Sequence, residues 1–254
     1  MEVSLSAISR NLKKNNWKKK AMRLVAQQRD ERLRGAYLYE ISMISPECFV
    51  FVDESGVDRR TGARRTGWAP VGARPTRTSV LERGKRYHIL PALTLNGLLD
   101  FIIYPGSTDG DGFLLWLRTD VLPKMNPFPG SNSVLVMDNA SWHTKEIGDF
   151  CKAAGVLFIW LPPYSPDFNP IEAFFGDLKA YFRRLFRPYE QSTVSEEFFM
   201  KMLGDCAMEI SSRRQQIEGH FRKSGINFAI PHQQPDEELQ SGEMLQPDEE
   251  SEEE

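Results

Sequence analysis

Three acidic residues stand out because of where they fall in the sequence. Asp53 ends the apolar run CFVFVD, and Asp138 ends a second apolar run, SVLVMD. Glu172 follows Asp138 by 34 positions, in a segment where Asn169 can cap a helix and Pro170 suits its first position. Because α/β sheets bind ligands at the carboxyl ends of their strands, we expect the three acids to converge at one sheet edge.

Carboxylates gathered in this way are typical of sites for hard divalent cations. Mg²⁺ takes carboxylate oxygens and water in preference to histidine or cysteine. Two such ions about 3.5 to 4 Å apart can activate the attacking oxygen of a phosphodiester cleavage and stabilise the leaving oxygen. The three acids therefore indicate metal-dependent phosphoryl transfer with Mg²⁺ or Mn²⁺, using two ions and no covalent enzyme intermediate.

Short apolar runs alternate with helical segments and predict the elements that position these acids. Strands are expected at 48–53, 86–95, 98–104, 133–138 and 156–161. The turn residues Asn96-Gly97 predict a hairpin between the second and third strands. Helices are expected at 4–14, 18–44, 113–122, 144–154, 170–186 and 194–223. The pattern predicts an α/β fold, with a mixed β-sheet flanked by helices and a helical N-terminal extension.

A polar segment from Glu54 to Arg86 interrupts the strand pattern. It is rich in arginine and contains glycine and proline, so we expect an exposed excursion that contributes little to the core. Contacts to a polyanion are one interpretation of its arginines. A solvated loop is the alternative. The arginines of this segment include Arg59, Arg60, Arg64, Arg65, Arg74 and Arg77.

The formal net charge of -3 hides an uneven distribution. Residues 236–254 carry ten acidic side chains and no basic one, whereas the first thirty-five residues carry ten Lys or Arg against three Asp or Glu. The basic excess predicts a polyanionic partner, and nucleic acid is the expected one. We expect the segment 233–254 to be a disordered, solubilising tail, with competition for the basic surface or binding of a basic partner as the alternatives.

Basic side chains in three parts of the sequence are the candidate contacts to DNA phosphates. They lie in the N-terminal segment, in the arginine-rich excursion and on the polar side of the helix that contains Glu172. Some of them are expected to be plain surface charges. The candidates are Lys13, Lys14, Lys18, Lys19, Lys20, Arg59, Arg60, Arg64, Arg65, Lys179, Arg183 and Arg184.

Several classes of protein find no support in the sequence. Cys48, Cys151 and Cys206 form no CxxC or Cys/His cluster, so neither a zinc finger nor a disulfide framework is indicated. Proline, asparagine, glycine and aspartate interrupt the most apolar stretch, 89–104, so no membrane span is expected. No secretory signal is readable at the N-terminus. We expect a nuclear protein if the source is eukaryotic, and otherwise a cytoplasmic one.

The motifs around the three acids resemble those of a known family. VDES contains Asp53, MDNASWH contains Asp138, and PPYSPDFNPIE ends at Glu172 and is followed by FFGDLK. Together they resemble the DDE/D signature of the mariner-type transposase superfamily, including its bacterial insertion-sequence relatives. SPDFNPIE is the most specific element, and the resemblance extends from residue 1 to about residue 230.

This resemblance implies an RNase H-like fold and a DNA transposase. Such an enzyme cleaves DNA at transposon ends and joins the freed 3′-hydroxyl to target DNA, as a homodimer assembled on DNA. The arginine-rich segment is at the position of the clamp-like loop that family members use for contacts to DNA and to the second subunit, so the resemblance implies the same role for it. The resemblance makes Asp53, Asp138 and Glu172 the catalytic and metal-binding triad, with Asn139 and His143 as possible auxiliary residues. Each acid taken singly could be a turn former or a helix N-terminal residue, and His143 could cap the following helix.

The resemblance also divides the chain. It implies a remnant of a helix-turn-helix DNA-binding region at 1–20, a helical linker at 21–46, a catalytic domain at 47–232 and the acidic tail at 233–254. Most of the family's N-terminal DNA-binding region is missing from this sequence, and the spacing between the second and third acids is slightly short.

A second hypothesis therefore stands beside the enzyme. It is a domesticated or truncated transposase that acts as a DNA-binding or protein-interaction module without strand transfer. The intact triad favours the enzyme, and the short N-terminus favours the module. A resolvase or RNase H is disfavoured because SPDFNPIE is not typical of either.

Overall fold

Six strands and seven α-helices lie within the residues that the computed structural model describes, which are 4–18, 29–63, 66–76, 85–106, 110–138, 144–189 and 194–229. The strands are β1 (Phe49–Val52), β2 (Ser55–Val57), β3 (Tyr87–Thr94), β4 (Gly97–Pro105), β5 (Val134–Met137) and β6 (Leu157–Trp160). The helices are α1 (Leu5–Lys14), α2 (Glu31–Ser42), α3 (Gly110–Trp116), α4 (Thr144–Ala153), α5 (Pro170–Phe186), α6 (Glu196–Ser211) and α7 (Arg214–Lys223). None of these helices is long and apolar enough to cross a membrane.

The strands form one mixed sheet in the order β2-β3-β1-β5-β6, with β4 paired to β3. β1, β5 and β6 are parallel, whereas β3 is antiparallel to β1, β2 and β4. The predicted hairpin is confirmed, since Thr94 pairs with Gly97 at its turn. The predicted mixed sheet is therefore confirmed, and its parallel part includes the two strands that lead to Asp53 and Asp138.

Helices cover both faces of the sheet, which explains why β1 is buried at all four positions. Side chains alternate between faces along a strand, so Phe49 and Phe51 enter one core while Val50 and Val52 enter the other. The first core includes side chains of α2, α5, α6 and α7, and the second includes side chains of α3 and α4. This arrangement encloses the central strands and leaves their ends accessible.

Two predicted helices have different bounds in the structure. In place of the helix expected at 18–44, the described residues contain α2, which begins after Asp30 because that side chain accepts hydrogen bonds from the N–H groups of Arg32 and Leu33. Residues 19–28 lie outside the description. The helix expected at 194–223 is divided into α6 and α7. Ser211 and Ser212 donate their hydroxyls to carbonyls of the last turn of α6, which competes with helix continuation.

The expectation that the whole segment 54–86 is exposed was wrong at its beginning. Strand β2 pairs with β3 and buries Val57 completely. A three-residue strand with one large apolar side chain is too short to produce a recognisable pattern. Residues 66–76, farther along the segment, are largely exposed, as expected, and Trp68 is almost fully accessible.

Candidate active site

Asp53 and Asp138 follow the ends of two neighbouring parallel strands. Val52 of β1 is paired with Met137 of β5, and each acid is the next residue of its strand. Parallel strands present their carboxyl ends at the same sheet edge, so the register places the two acids side by side. Asp53 is partly buried and Asp138 is exposed.

Asp53 and the residue after it lie between the end of β1 and the beginning of β2, where neither is part of a strand. β1 and β2 pair with β3 in one continuous register, since Val52 is opposite Ala92 and Ser55 is opposite Ile89. Asp53 and Glu54 lie in the gap between the two strands. By the same register Asp53 is opposite Pro91, which has no N–H group to donate to a partner strand.

Glu172 lies in the first turn of α5, and the residue that caps this helix also holds Asp53. The buried Asn169 accepts a hydrogen bond from the N–H of Ile171 at 3.2 Å, as expected for an N-cap. Its amide Nδ2 donates to Asp53 Oδ2 at 2.9 Å. An amide side chain can do both because one end accepts and the other donates. Asn169 therefore joins the first acid to the helix of the third.

The pKa of Asp53 is affected by both of the other acids. Burial raises its pKa, and the charges of Asp138 and Glu172 raise it further, to about 7, although the N–H of Glu54 donates to Asp53 at 2.7 Å and opposes the shift. Burial, the larger cause, and the like charges nearby both destabilise the ionised form of the Asp53 carboxyl group. Asp138 and Glu172 thus both lie within electrostatic reach of Asp53.

The chemistry of the three acids fits a divalent metal. Within the described part of the chain, no group of three or more His, Cys, Asp and Glu side chains is arranged to hold a metal ion. Convergence on one metal site therefore stays a prediction. The donors are hard carboxylate oxygens, as Mg²⁺ and Mn²⁺ require. A bound cation would offset the repulsion that raises the pKa of Asp53.

A carboxylate and histidine pair beside Asp53 was not identified from the sequence. Glu54, the next residue, contacts Nδ1 of His88 on β3, and the His88 ring stacks on Tyr104 of β4 with 5.9 Å between ring centroids. His88 stands alone in the sequence, far from any acid motif, so only the pairing of the strands brings it to this edge of the site.

Lys179 lies near Glu172, and a second basic residue, Arg86, lies near Lys179. Burial lowers the pKa of Lys179, the charge of Arg86 lowers it further, and the carboxylate of Glu172 opposes the shift. The guanidinium of Arg86 lies against the backbone of Gly56, where a Cβ atom would be 2.2 Å from its Nε. Lys179 was a predicted DNA contact, whereas Arg86 was not, because it was regarded only as the end of the excursion.

The other predicted site residues are distributed over several surfaces. Lys13, Lys14 and Lys18 are exposed at the end of α1, and Arg184 is exposed on α5. Arg59 is partly exposed, and Arg60 pairs with Asp58 at 3.3 Å. Arg183 donates from Nε to the Thr61 carbonyl at 3.1 Å and so has an intramolecular role. The predicted residues Asn139, His143, Lys19, Lys20, Arg64 and Arg65 lie outside the described residues.

Comparison with solved structures shows the same fold. The Mos1 transposase paired-end complex with left transposon end is 21% identical, with a TM-score of 0.60, 89% of this chain covered and 72% of that chain. The mariner Mos1 paired end complex with Mg is 19% identical, with a TM-score of 0.59, 87% of this chain covered and 69% of that chain. The Mos1 Strand Transfer Complex is 16% identical, with a TM-score of 0.55, 88% of this chain covered and 70% of that chain. The expected RNase H-like architecture is therefore confirmed.

Comparison with family models identifies the relatives of the sequence. No curated protein matches it. The model of the DDE superfamily endonuclease matches residues 48–194, a range that contains Asp53, Asp138 and Glu172. This range is more than half of the chain and begins one residue before β1. The chain belongs to the DDE superfamily endonucleases.

Proposed function

We propose that this protein is the catalytic part of a cut-and-paste DNA transposase. It cleaves DNA phosphodiesters at transposon ends and transfers the freed 3′-hydroxyl into target DNA. The observation that carries the proposal is the placement of Asp53 and Asp138 at adjacent strand ends, with Glu172 near enough to raise the pKa of Asp53. The similar Mos1 structures include a paired-end complex with transposon DNA and complexes with Mg and with Mn.

Asp53, Asp138 and Glu172 would hold Mg²⁺ or Mn²⁺, as two ions. When bound, such ions activate the attacking oxygen and stabilise the leaving oxygen of a phosphodiester. The protein contributes orientation: Asn169 fixes the Asp53 carboxylate and the beginning of α5 at the same time. Lys179, near Glu172, provides a positive charge for a phosphate next to the acidic site.

Basic residues outside the acidic site would hold the DNA backbone. The exposed lysines at the end of α1 and Arg184 on α5 are candidates, because phosphate contacts position a protein on DNA without reading its sequence. We further propose assembly as a homodimer on DNA, and a nuclear location if the source is eukaryotic. These proposals rest on the family resemblance and apply it to residues outside the matched range 48–194 as well.

Nicking of supercoiled plasmid and joining of a pre-nicked transposon-end mimic test this function. We expect wild type to show Mg²⁺- or Mn²⁺-dependent activity and Asp138→Asn to lose it, while DNA affinity stays within about twofold. The amide retains the shape of the side chain but lacks the anionic oxygen that a hard cation needs. Exposed Asp205 on α6, substituted Asp205→Asn, is the matched control and should remain active.

Two outcomes would contradict the proposal. If folded wild type has no metal-dependent activity on either substrate, a DNA-binding or protein-interaction module replaces the enzyme. If Asp138→Asn nicks as well as wild type, Asp138 is not a metal ligand, and the assignment of the three acids fails.

A further inference from the structure

Helix α2 contacts the segment before α5 through a buried charge. The side chain of Arg34 is almost fully buried, with 6% of the residue exposed, and it forms two parallel hydrogen bonds with Asp167. Nη1 donates to Oδ1 at 3.1 Å and Nη2 donates to Oδ2 at 2.9 Å. Arg29 adds a weaker contact to the same carboxylate at 3.4 Å. Because the planar guanidinium donates two parallel bonds to one carboxylate, the contact fixes the orientation of both side chains as well as pairing their charges.

Aromatic contacts reinforce the same junction. The Arg34 guanidinium carbon lies 3.8 Å from the centroid of the Phe168 ring, and Tyr37, one turn later on α2, stacks on that ring with 5.5 Å between centroids. Phe168 and Tyr37 are both buried. Two consecutive residues, Asp167 and Phe168, are therefore held by one face of α2.

The held residues lead directly to Asn169. Pro166–Phe168 form a single 3₁₀ turn, and the N–H of Asn169 closes it by donating to the carbonyl of Pro166 at 3.1 Å. Asn169 then binds Asp53 and caps the helix that contains Glu172. A displacement of this turn would consequently move the partner of one acid and the first turn of the helix that carries another.

We propose that Arg34 is a positioning residue for the acidic site. By holding Asp167 and Phe168 it fixes Asn169, and through Asn169 it sets the relative placement of Asp53 and Glu172. The docking of α2 therefore controls how tightly the acids bind a divalent cation. This last step rests on the proposed function, whereas the positioning of Asn169 does not.

Arg34→Gln in the full chain tests the proposal, because glutamine cannot reproduce the two parallel charge-assisted bonds. We expect amide hydrogen exchange at Ile171, measured by NMR, to become about tenfold faster or more, and the Mn²⁺ dissociation constant, measured by electron paramagnetic resonance, to rise about tenfold. Arg32→Gln is the matched control on the same helix, because Arg32 is exposed. It should change neither quantity.

A second control separates positioning from loss of stability. Ile210→Val removes one methylene from the buried face of α6 and should lower the melting temperature without changing Ile171 exchange or Mn²⁺ affinity. Faster Ile171 exchange and weaker Mn²⁺ binding in Arg34→Gln, with neither change in Ile210→Val, would support the positioning role.

The results distinguish this inference from the proposed function. If Arg34→Gln leaves the exchange of Ile171 at the wild-type rate, the positioning role is overturned, whatever the metal affinity. If wild type binds no Mn²⁺ while Ile171 exchange still responds to Arg34→Gln, positioning is supported and the proposed metal-dependent function fails. If exchange responds but Mn²⁺ binds wild type and variant equally, the control of metal binding by α2 is overturned.

Discussion

At the scale of single residues, Asp167 shows how one buried cation sets the charge state of its neighbour. Burial raises the pKa of Asp167, but the hydrogen bonds and charge of Arg34, with the charge of Arg29, outweigh it and lower the pKa below its usual range. The carboxylate is 38% exposed, so solvent screens part of the interaction. Arg34, in contrast, is buried. Its two shorter contacts are with Asp167, and its Nε lies 3.4 Å from a carboxylate oxygen of Glu31.

This pKa shift predicts a pH-dependent contribution to stability. A carboxyl group with a lowered pKa in the folded state stabilises the fold above its unfolded pKa of about 3.9, and the contribution is lost as the pH falls through the folded value. Asp167→Asn should therefore have a smaller free energy of unfolding than wild type at about pH 7, and the difference should shrink at about pH 3. Urea titrations at both pH values measure it.

Asp205→Asn is the comparison for this experiment. Asp205 forms an exposed pair with Lys201 at 2.7 Å on α6, and exposed pairs contribute little. Its effect should be close to zero at both pH values. An Asp167→Asn effect of equal size at about pH 7 and about pH 3 would show that the charge of Asp167 does not stabilise the fold.

At the scale of elements, the beginning of the arginine-rich segment is attached to α5. Asp58 closes a turn by accepting from the N–H of Thr61 at 2.8 Å, and the carbonyl of Thr61 accepts from Arg183. Gly62 is buried against Phe186, where a Cβ atom would lie 2.5 Å from the ring. The segment therefore leaves the sheet along a defined path over the helix that contains Glu172.

The same substitution at two glycines should have opposite effects. Gly62→Ala would force its Cβ into the fully buried ring of Phe186 and should lower the free energy of unfolding by about 1 to 3 kcal/mol. Gly148→Ala in α4 meets no atom within 4 Å and should raise it by about 0.5 to 1 kcal/mol, because alanine is the better helix former. Denaturant titration measures both. Wild-type stability in Gly62→Ala would mean that this contact does not hold the segment on α5.

At the scale of the whole molecule, the distribution of charge determines how the protein is expected to bind DNA. The 32 basic side chains all precede residue 236, while ten of the 35 acidic ones lie at 236–254. The part of the chain before this acidic run is therefore net positive. Phosphate contacts made by such a surface release counterions from DNA.

DNA affinity should consequently fall steeply with salt. We expect a log-log slope of several units for wild type between about 50 and 200 mM salt. Alanine at Lys13, Lys14 and Lys18 together should reduce the slope by about 2 to 3 units if all three contact phosphates. Fluorescence anisotropy with labelled duplexes of different sequence measures both slope and preference. Affinity that does not depend on salt, or strong selection of one short sequence, would contradict this prediction.

The sequence by itself determined the features that depend on local pattern. Two apolar runs that end in an aspartate predicted buried strands followed by Asp53 and Asp138, because a short apolar run between polar residues is typical of a buried strand. The cap at Asn169 and the first turn with Glu172 were also predicted, because helix caps depend on the residues within one turn.

Only the tertiary structure decided which distant residues support those acids. The bond from Asn169 to Asp53 spans 116 positions, and the pair of Arg34 with Asp167 spans 133. Neither the hydrophobic periodicity nor a local motif predicts such partners, because the packing of the helices on the sheet determines which distant side chains meet. The short strand β2 was overlooked for the same reason: its hydrogen bonds and the burial of Val57 come from β3 and the surrounding core.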